Sequence, residues 1–388
     1  MKVIMIVLDS VGVGAAPDAD AFGDPSSVNT LASALKHLPQ GTRLKNLEDL
    51  GFTQLCQEKP EPGRAITARA LEASKGKDTV VGHWELAGKI SDQAFPTFPE
   101  GFPEKMVDHI KAVAQRDVLW NKPASGTAII QTFGDEHLRT GALIVYTSSD
   151  SVLQIAAHED IVPLDELYRI CAQLRQDFSA PEEEVNRIIA RPFIGPTGGP
   201  FTRTENRKDF TVPIPADHLL DDLTQAKIPS YAVGKIKTIF PNVTFTADLP
   251  GHNNAEALAS TLALAQEVPN GFIFTNLVDF DMLYGHRRDP AGYAQALLAF
   301  DQALPDLLAG LQEEDWLILT ADHGCDPLAP GTDHTREKIP VLFYSPQLKA
   351  GDYIGERSSY ADIASTIADL FEIPYSGAGS SFKEYLDT

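Results

Sequence analysis

The chain is 388 residues long, 43% hydrophobic and 22% charged, with a formal net charge of −22. That length allows two ordinary domains, or one large domain carrying an insertion. The charge argues against a nucleic-acid or anionic-membrane partner, because phosphate backbones are held by clustered Lys and Arg. A small phosphorylated substrate stays open, since divalent cations and a few local arginines can reverse the sign of one pocket.

The longest apolar runs, such as residues 3–8 and 271–277, are of strand length and too short to span a bilayer. Met1-Lys2 leads straight into one of them with no signal-peptide pattern, so the expectation is a cytoplasmic protein. Cys56, Cys171 and Cys325 are widely spaced and none forms a CxxC pair. Neither a disulfide framework nor a thiolate zinc site is expected from them.

In chain order, "KVIMIVL" reads as a buried strand followed by Asp9 and a Gly/Ala/Pro/Asp loop, and "NTLASAL" starts a helix capped by Asn29. "GKDTVVGHWELAG" sets Thr79 where a loop enters a helix. Between the Pro-rich stretches "FPTFPEGFP" and "VPIPAD" the pattern changes: "GTAIIQTFG", "ALIVYTSSDSVLQIAAH" and "NRIIARPFIG" read as strands, and "LDELYRICAQLRQDF" as a helix. We expect a smaller α+β domain at residues 95–215, inserted into a core of 1–94 and 216–388. The core then resumes with a helix at "AEALASTLALAQE", a strand "GFIFTNLVDFD" ending in acid, and a helix at "AGYAQALLAFDQALPDLLAGLQ". A strand "DWLILTADHG" again ends in acid, and "IPVLFYS" and "YADIASTIADLFEI" close the pattern as strand and helix. Apolar strands alternating with helices predict an α/β core with a mostly parallel sheet between helices.

Ligands of such sheets bind at the carboxyl ends of the strands, where Asp9, Asp281 and Asp322 are expected. A site for two divalent cations needs about six protein ligands and a reacting group. Mixed Asp and His suit Mn²⁺, Zn²⁺ or Fe²⁺ better than Ca²⁺. The spacing of Asp281 and His286 lets both reach one ion, and Asp322 and His323 can share another where the chain leaves its strand. Metal coordination would make the Thr79 hydroxyl a nucleophile, and amides at a helix start would receive its phosphate. Each stretch also has a bland reading. Thr79 alone is a helix cap, His83 is either a packed histidine beside Trp84 or a substrate contact, and Asp279, Asp326 and Asp333 are ordinary loop acids.

Taken together, "DSVGVG", "DTVVGHWE", "DFDMLYGHRRD", "TADHGCDP" and "GTDHTREKIPVL" resemble the alkaline phosphatase superfamily, and within it the mutases of pentose phosphates. The resemblance implies an alkaline-phosphatase-like core with an inserted cap. One Mn²⁺ would be held by Asp9, Asp322 and His323 beside Thr79, the phosphorylated nucleophile, and a second by Asp281, His286 and His334. Asp150 is implied as a sugar contact, and Arg191, Arg207 and Lys235 as phosphate contacts, although "RIIARPFIGPTGGPFTRTENR" offers four arginines. Here "GKIKTIF" departs from the family pattern and sets Lys237 near the phosphate site. The partners implied are small-molecule pentose phosphates, with a sugar bisphosphate such as glucose 1,6-bisphosphate as activator. A metal-dependent phosphatase or phosphodiesterase on the same core, or a non-catalytic phosphosugar-binding protein, are the competing readings. Oligomeric state is not legible.

Overall fold

The uninterrupted apolar run at the start of the chain forms β1 (Lys2–Leu8), buried at every position, as a strand covered on both faces requires. The computed structural model describes residues 1–148 and 150–386. The further strands are β2 (Ile66–Ala70), β3 (Val118–Pro123), β4 (Leu143–Thr147), β5 (Val152–His158), β6 (Arg187–Ile194) and β7 (Thr202–Arg203). They continue as β8 (Lys208–Thr211), β9 (Ser230–Val233), β10 (Ala247–Leu249), β11 (Gly271–Leu277), β12 (Trp316–Thr320), β13 (Ile339–Tyr344) and β14 (Asp352–Arg357). They fall into two units, one of Met1–Gln93 with Ile214–Thr388, the other of Ala94–Pro213.

The first unit holds an eight-stranded sheet in the order β10-β9-β11-β1-β12-β13-β2-β14. β13 runs antiparallel to both neighbours, and the other pairs are parallel. Register sets Leu8 opposite Leu277 and Val7 opposite Thr320, so β11, β1 and β12 end together. That shared edge gathers residues hundreds of positions apart.

Two expected strand ends differ. β11 stops at Leu277, and the chain passes into a π-helical turn, Phe280–Gly285, that carries Asp281. β12 stops at Thr320, two residues before Asp322.

In the second unit the sheet order is β3-β4-β5-β6-β7, with β8 also paired to β6. Alternation along β4 serves both faces. Leu143 and Val145 pack with Met106, Ile110, Ile170 and Leu174 of the helices Glu104–Ala114 and Leu164–Asp177. Ile144 and Tyr146 pack with Ile129 and Ile130. The segment "GTAIIQTFG", expected as a strand, opens the helix Gly126–Thr140 instead. Its buried residues Ile129, Ile130, Gly134 and His137 recur at helical spacing, and that periodicity outweighs the β-propensity of the Ile pair. Among the described residues, no helix is long and apolar enough to cross a membrane.

Candidate metal centre

Asp9 and Asp322 leave adjacent parallel strands and are both fully buried. The Asp9 Oδ2 accepts from Asn276 Nδ2 at 3.0 Å, and the Asp322 Oδ1 accepts from the Ser10 amide at 3.0 Å. Ser10 holds a left-handed φ of 75° to aim that amide, a strained conformation typical of functional turns. The remaining oxygens, Asp9 Oδ1 and Asp322 Oδ2, have no hydrogen-bond partner. They lie 3.5 and 3.3 Å from His323 Nε2.

Asp281 and His286 meet because of the π-helical turn. The His286 amide donates to the Asp281 carbonyl at 3.1 Å, and this i→i+5 bond brings the two side chains to the same side of the turn. His286 Nε2 is thereby 3.3 Å from Asp281 Oδ2. From the loop after β12, His334 Nε2 comes to 3.4 Å from Asp281 Oδ1 and 3.1 Å from His286 Nε2. Each imidazole is oriented by its other nitrogen. The Nδ1 atoms of His286, His334 and His323 face the carbonyls of Thr332, Lys77 and Gly324 at 2.6, 2.9 and 3.0 Å. Donation from Nδ1 leaves each Nε2 lone pair turned inward, the orientation a metal-binding histidine needs.

The charges fit a cationic occupant. Burial and the neighbouring Asp322 push the Asp9 carboxyl up to about 7, with Lys235 partly offsetting them. Burial also opposes ionisation of Asp281, but His334 and His286 outweigh it and hold that carboxyl well below its ordinary value. Burial lowers His323 to about 4, keeping it neutral. Asp9 Oδ1, Asp281 Oδ1 and Asp322 Oδ2 are buried oxygens that make no hydrogen bond, although His83 Nδ1 lies 3.1 Å from the last, an arrangement that is costly unless an ion pairs with them. The ligand atoms of Asp281, His286 and His334 lie within 4.8 Å of one another, as do those of Asp9, Asp281 and His323. Asp281 therefore belongs to both groups, beyond the single one expected.

Thr79 is the first residue of the helix Thr79–Leu86, capped by Asp78. Its Oγ1 lies 3.1 Å from His323 Nε2. The helix comes this close to the segment after β12 because position 82 is glycine: a methyl group there would overlap the Asp322 carbonyl oxygen. At this helix start the Val80 and Val81 amides donate to Asp78 Oδ1 at 3.0 and 3.2 Å. One correction concerns the substrate-contact reading of His83, which is fully buried. Its Nδ1 faces the Thr79 carbonyl at 2.8 Å and its ring stacks on Phe274, so it has no face for a sugar and supports the site from behind.

Arg336 and Glu337 escaped the sequence reading. Arg336 is buried, pairs with Glu72 and Asp18, and donates to the carbonyls of Glu72, Ser74 and Gly76. It thereby ties the His334 loop to the segment leading into Thr79. Glu337 accepts from the Thr30 and Gly14 amides and from the hydroxyls of Thr30 and Thr335. Their signal in the sequence was adjacency to His334 in "DHTREK". Lys235 follows Gly234 at the end of β9. Lys237 instead donates to the carbonyls of Pro241 and Val243, so it adds no cation to the site. Asp279, Asp326 and Asp333 accept from neighbouring backbone amides, as loop acids do.

In the second unit, Asp150 lies in the turn between β4 and β5, its amide donating to Ser148 Oγ at 3.3 Å, while Ser149 is outside the described residues. The four arginines of the ambiguous segment gather around Asp209 and Tyr146. Arg207 makes two bonds to Asp209, both 2.7 Å, and Arg187 Nη1 lies 3.6 Å from the same carboxylate. Arg203 Nη2 donates to Tyr146 Oη at 3.4 Å, and Arg191 Nε to Gln154 at 3.1 Å. Burial, then the charge of Arg207, lowers Arg191 to about 10. The Nε atoms of Arg187 and Arg203 have no acceptor. That leaves Arg207 the most committed of the four.

A family model for the metalloenzyme superfamily matches residues 1–375, and the chain belongs to that superfamily. Curated relatives align over nearly their whole length. A phosphopentomutase from Caldanaerobacter subterraneus subsp. tengcongensis is 50% identical, covering 99% of this chain and 98% of that protein. One from Thermotoga maritima is 46% identical over the whole of both. The chain belongs to the phosphopentomutase family and is an isomerase, a pentose phosphate mutase. Among solved structures, a phosphoglycerate mutase from Leishmania mexicana is 14% identical with a TM-score of 0.46, covering 98% of this chain and 97% of that one.

Proposed function

We propose that this mutase interconverts ribose 1-phosphate and ribose 5-phosphate, and the 2-deoxyribose pair, through phosphorylated Thr79. The observation that carries the reading is the Thr79 hydroxyl, 3.1 Å from His323 Nε2 at the edge of a buried, donor-poor carboxylate cluster. Two Mn²⁺ ions fit the residues, one at Asp9, Asp322 and His323, the other at Asp281, His286 and His334. When bound, they supply charge neutralisation at the transferring phosphoryl oxygens and a lowered pKa for the Thr79 hydroxyl.

In the first half-reaction the bond from Thr79 Oγ1 to phosphorus breaks as the free sugar hydroxyl forms a new one, its proton ending on Thr79 Oγ1 and the sugar becoming a pentose bisphosphate. The sugar then turns over, and its other phosphoryl group returns to Thr79. Because the Val80 and Val81 amides serve Asp78, stabilisation of the Thr79 phosphate falls to the metal ligands and to Lys235. As the family resemblance implies, Asp150 would contact the sugar and arginines among Arg187, Arg191, Arg203 and Arg207 its phosphate, and a mutase must exclude the water that would otherwise hydrolyse the phosphothreonine. Within that set, the unpartnered Nε atoms favour Arg187 and Arg203 over Arg207, with Arg191 beside them. A sugar bisphosphate such as glucose 1,6-bisphosphate would prime Thr79, and the reaction would link nucleoside salvage to pentose phosphate metabolism in the cytoplasm.

The test is ³¹P NMR of purified protein with Mn²⁺, glucose 1,6-bisphosphate and ribose 5-phosphate. Ribose 1-phosphate with little free phosphate, lost in Thr79→Ala, is the expected result. Free phosphate as the main product would make the protein a phosphatase on the same core.

A further inference from the structure

Asn276 sits one residue before the end of β11, opposite Val7 of β1, and is completely buried. A carboxamide in the middle of an apolar sheet is costly unless its polar atoms are used. Its Nδ2 lies 3.0 Å from Asp9 Oδ2 and 3.3 Å from His83 Nε2. An amide NH₂ has two hydrogens, one for each of these acceptors. The opposite amide orientation would set its oxygen against a carboxylate oxygen and an imidazole lone pair, so Asp9 decides the assignment.

Two consequences follow for the site. With Nε2 accepting, His83 carries its proton on Nδ1, which donates to the Thr79 carbonyl at 2.8 Å and lies 3.1 Å from Asp322 Oδ2. With Oδ2 of Asp9 engaged, the oxygen left facing His323 Nε2 is Oδ1, which has no donor. The side-chain oxygen of Asn276, Oδ1, is itself buried without a partner. A polar residue kept only to satisfy a core would not leave that end unpaired; the donor end is what this position requires.

We infer that Asn276, acting with His83, is the positioning residue of the Asp9–Asp322 ion site: one amide selects which Asp9 oxygen faces the ion and ties it to the first turn of the Thr79 helix. The inference rests on the proposed two-ion site, and Asn276 itself touches neither ion. It should therefore govern one site and leave the Asp281–His286–His334 site alone.

The experiment is a titration of chelator-treated protein with Mn²⁺, reading free ion by electron paramagnetic resonance, on wild type, Asn276→Leu and Asn276→Asp. His286→Ala identifies which binding step belongs to which site. We expect wild type to bind two ions and both Asn276 variants to lose about 10- to 100-fold in affinity at one site, the scale of outer-shell substitutions. The step weakened by His286→Ala should be unchanged in both variants. Asn276→Asp keeps the side-chain shape and decides the matter if Asn276→Leu does not fold. Wild-type affinities at both sites in the Asn276 variants, or equal weakening of both, would overturn the inference alone. Failure of wild type to bind two ions would overturn the two-ion reading, and the inference with it.

Discussion

The two polar clusters of this protein are built on opposite principles. In the first unit, Asp9, Asp281 and Asp322 are buried, each with one oxygen that makes no hydrogen bond. In the second, Arg207 and Arg187 share the carboxylate of Asp209, and Arg191 and Arg203 lean on Gln154 and Tyr146. Unpaired buried charge is tolerated only where something else completes it, whereas guanidinium groups already paired with a carboxylate can trade it for another anion and keep charge-assisted hydrogen bonds. The carboxylate cluster therefore reads as a permanent ion site, and the arginine cluster as one suited to a ligand that comes and goes.

The sharpest way to break the comparison is at the point where the carboxylate cluster meets its reacting group. Thr79→Ala should lower mutase turnover by about 10⁴-fold or more, while thermal unfolding moves little, because the Oγ1 contact is a single one to His323. Next comes removal of the ions. A chelator should leave the three carboxylates uncompensated and lower stability by about 2.7 kcal/mol for each site held at a hundredfold excess over Kd, read as a Mn²⁺-dependent Tm. If Tm ignores Mn²⁺, the carboxylate cluster is not an ion site. Gly82→Ala should cost about 1–3 kcal/mol through overpacking against the Asp322 carbonyl and weaken Mn²⁺ binding with it, as a titration would report.

The arginine side of the comparison is sharpened by steady-state kinetics. Arg203→Gln should raise KM about tenfold, the worth of one charged hydrogen bond, and more than Arg207→Gln, whose charge Asp209 already offsets. The smallest effect concerns pH in the second unit. His137 is buried, accepts the His158 amide at Nε2 and faces the Ala142 carbonyl with Nδ1. Burial lowers its pKa from 6.5, so the folded state binds this proton less readily than the unfolded chain. The stability it contributes is present above 6.5 and is lost as pH falls through the folded value. Calorimetry between pH 8 and 5 should show that loss, and His137→Gln should flatten it.

Much of the organisation was legible from particular residues. The apolar runs of β1 and β12 marked a buried parallel sheet, and the acids after them pointed to its carboxyl edge. The residues of "DTVVGHWE", "DFDMLYGHRRD" and "TADHG" could be grouped because their types and spacings carry ligand chemistry. Helical periodicity hidden under two isoleucines at Ile129 and Ile130 was misread, since local propensity and pattern disagreed there. The two readings of His83, packed histidine or substrate contact, could not be separated there, because a motif position says nothing about which face of a helix is covered.

What the sequence by itself determined was the inventory: strands too apolar to be exposed, acids and imidazoles at strand ends, and a hydroxyl at a helix start. Only the tertiary structure decided how they are used. Strand register brings Asn276 beside Asp9, and the π-helical turn puts Asp281 and His286 on one face. Close packing of the Thr79 helix, through Gly82, on the turn that carries Asp322 buries His83. The physical reason is range. Periodicity and spacing report neighbours along the chain, while donors, acceptors and desolvation at this site are settled between residues that the sheet joins across hundreds of positions.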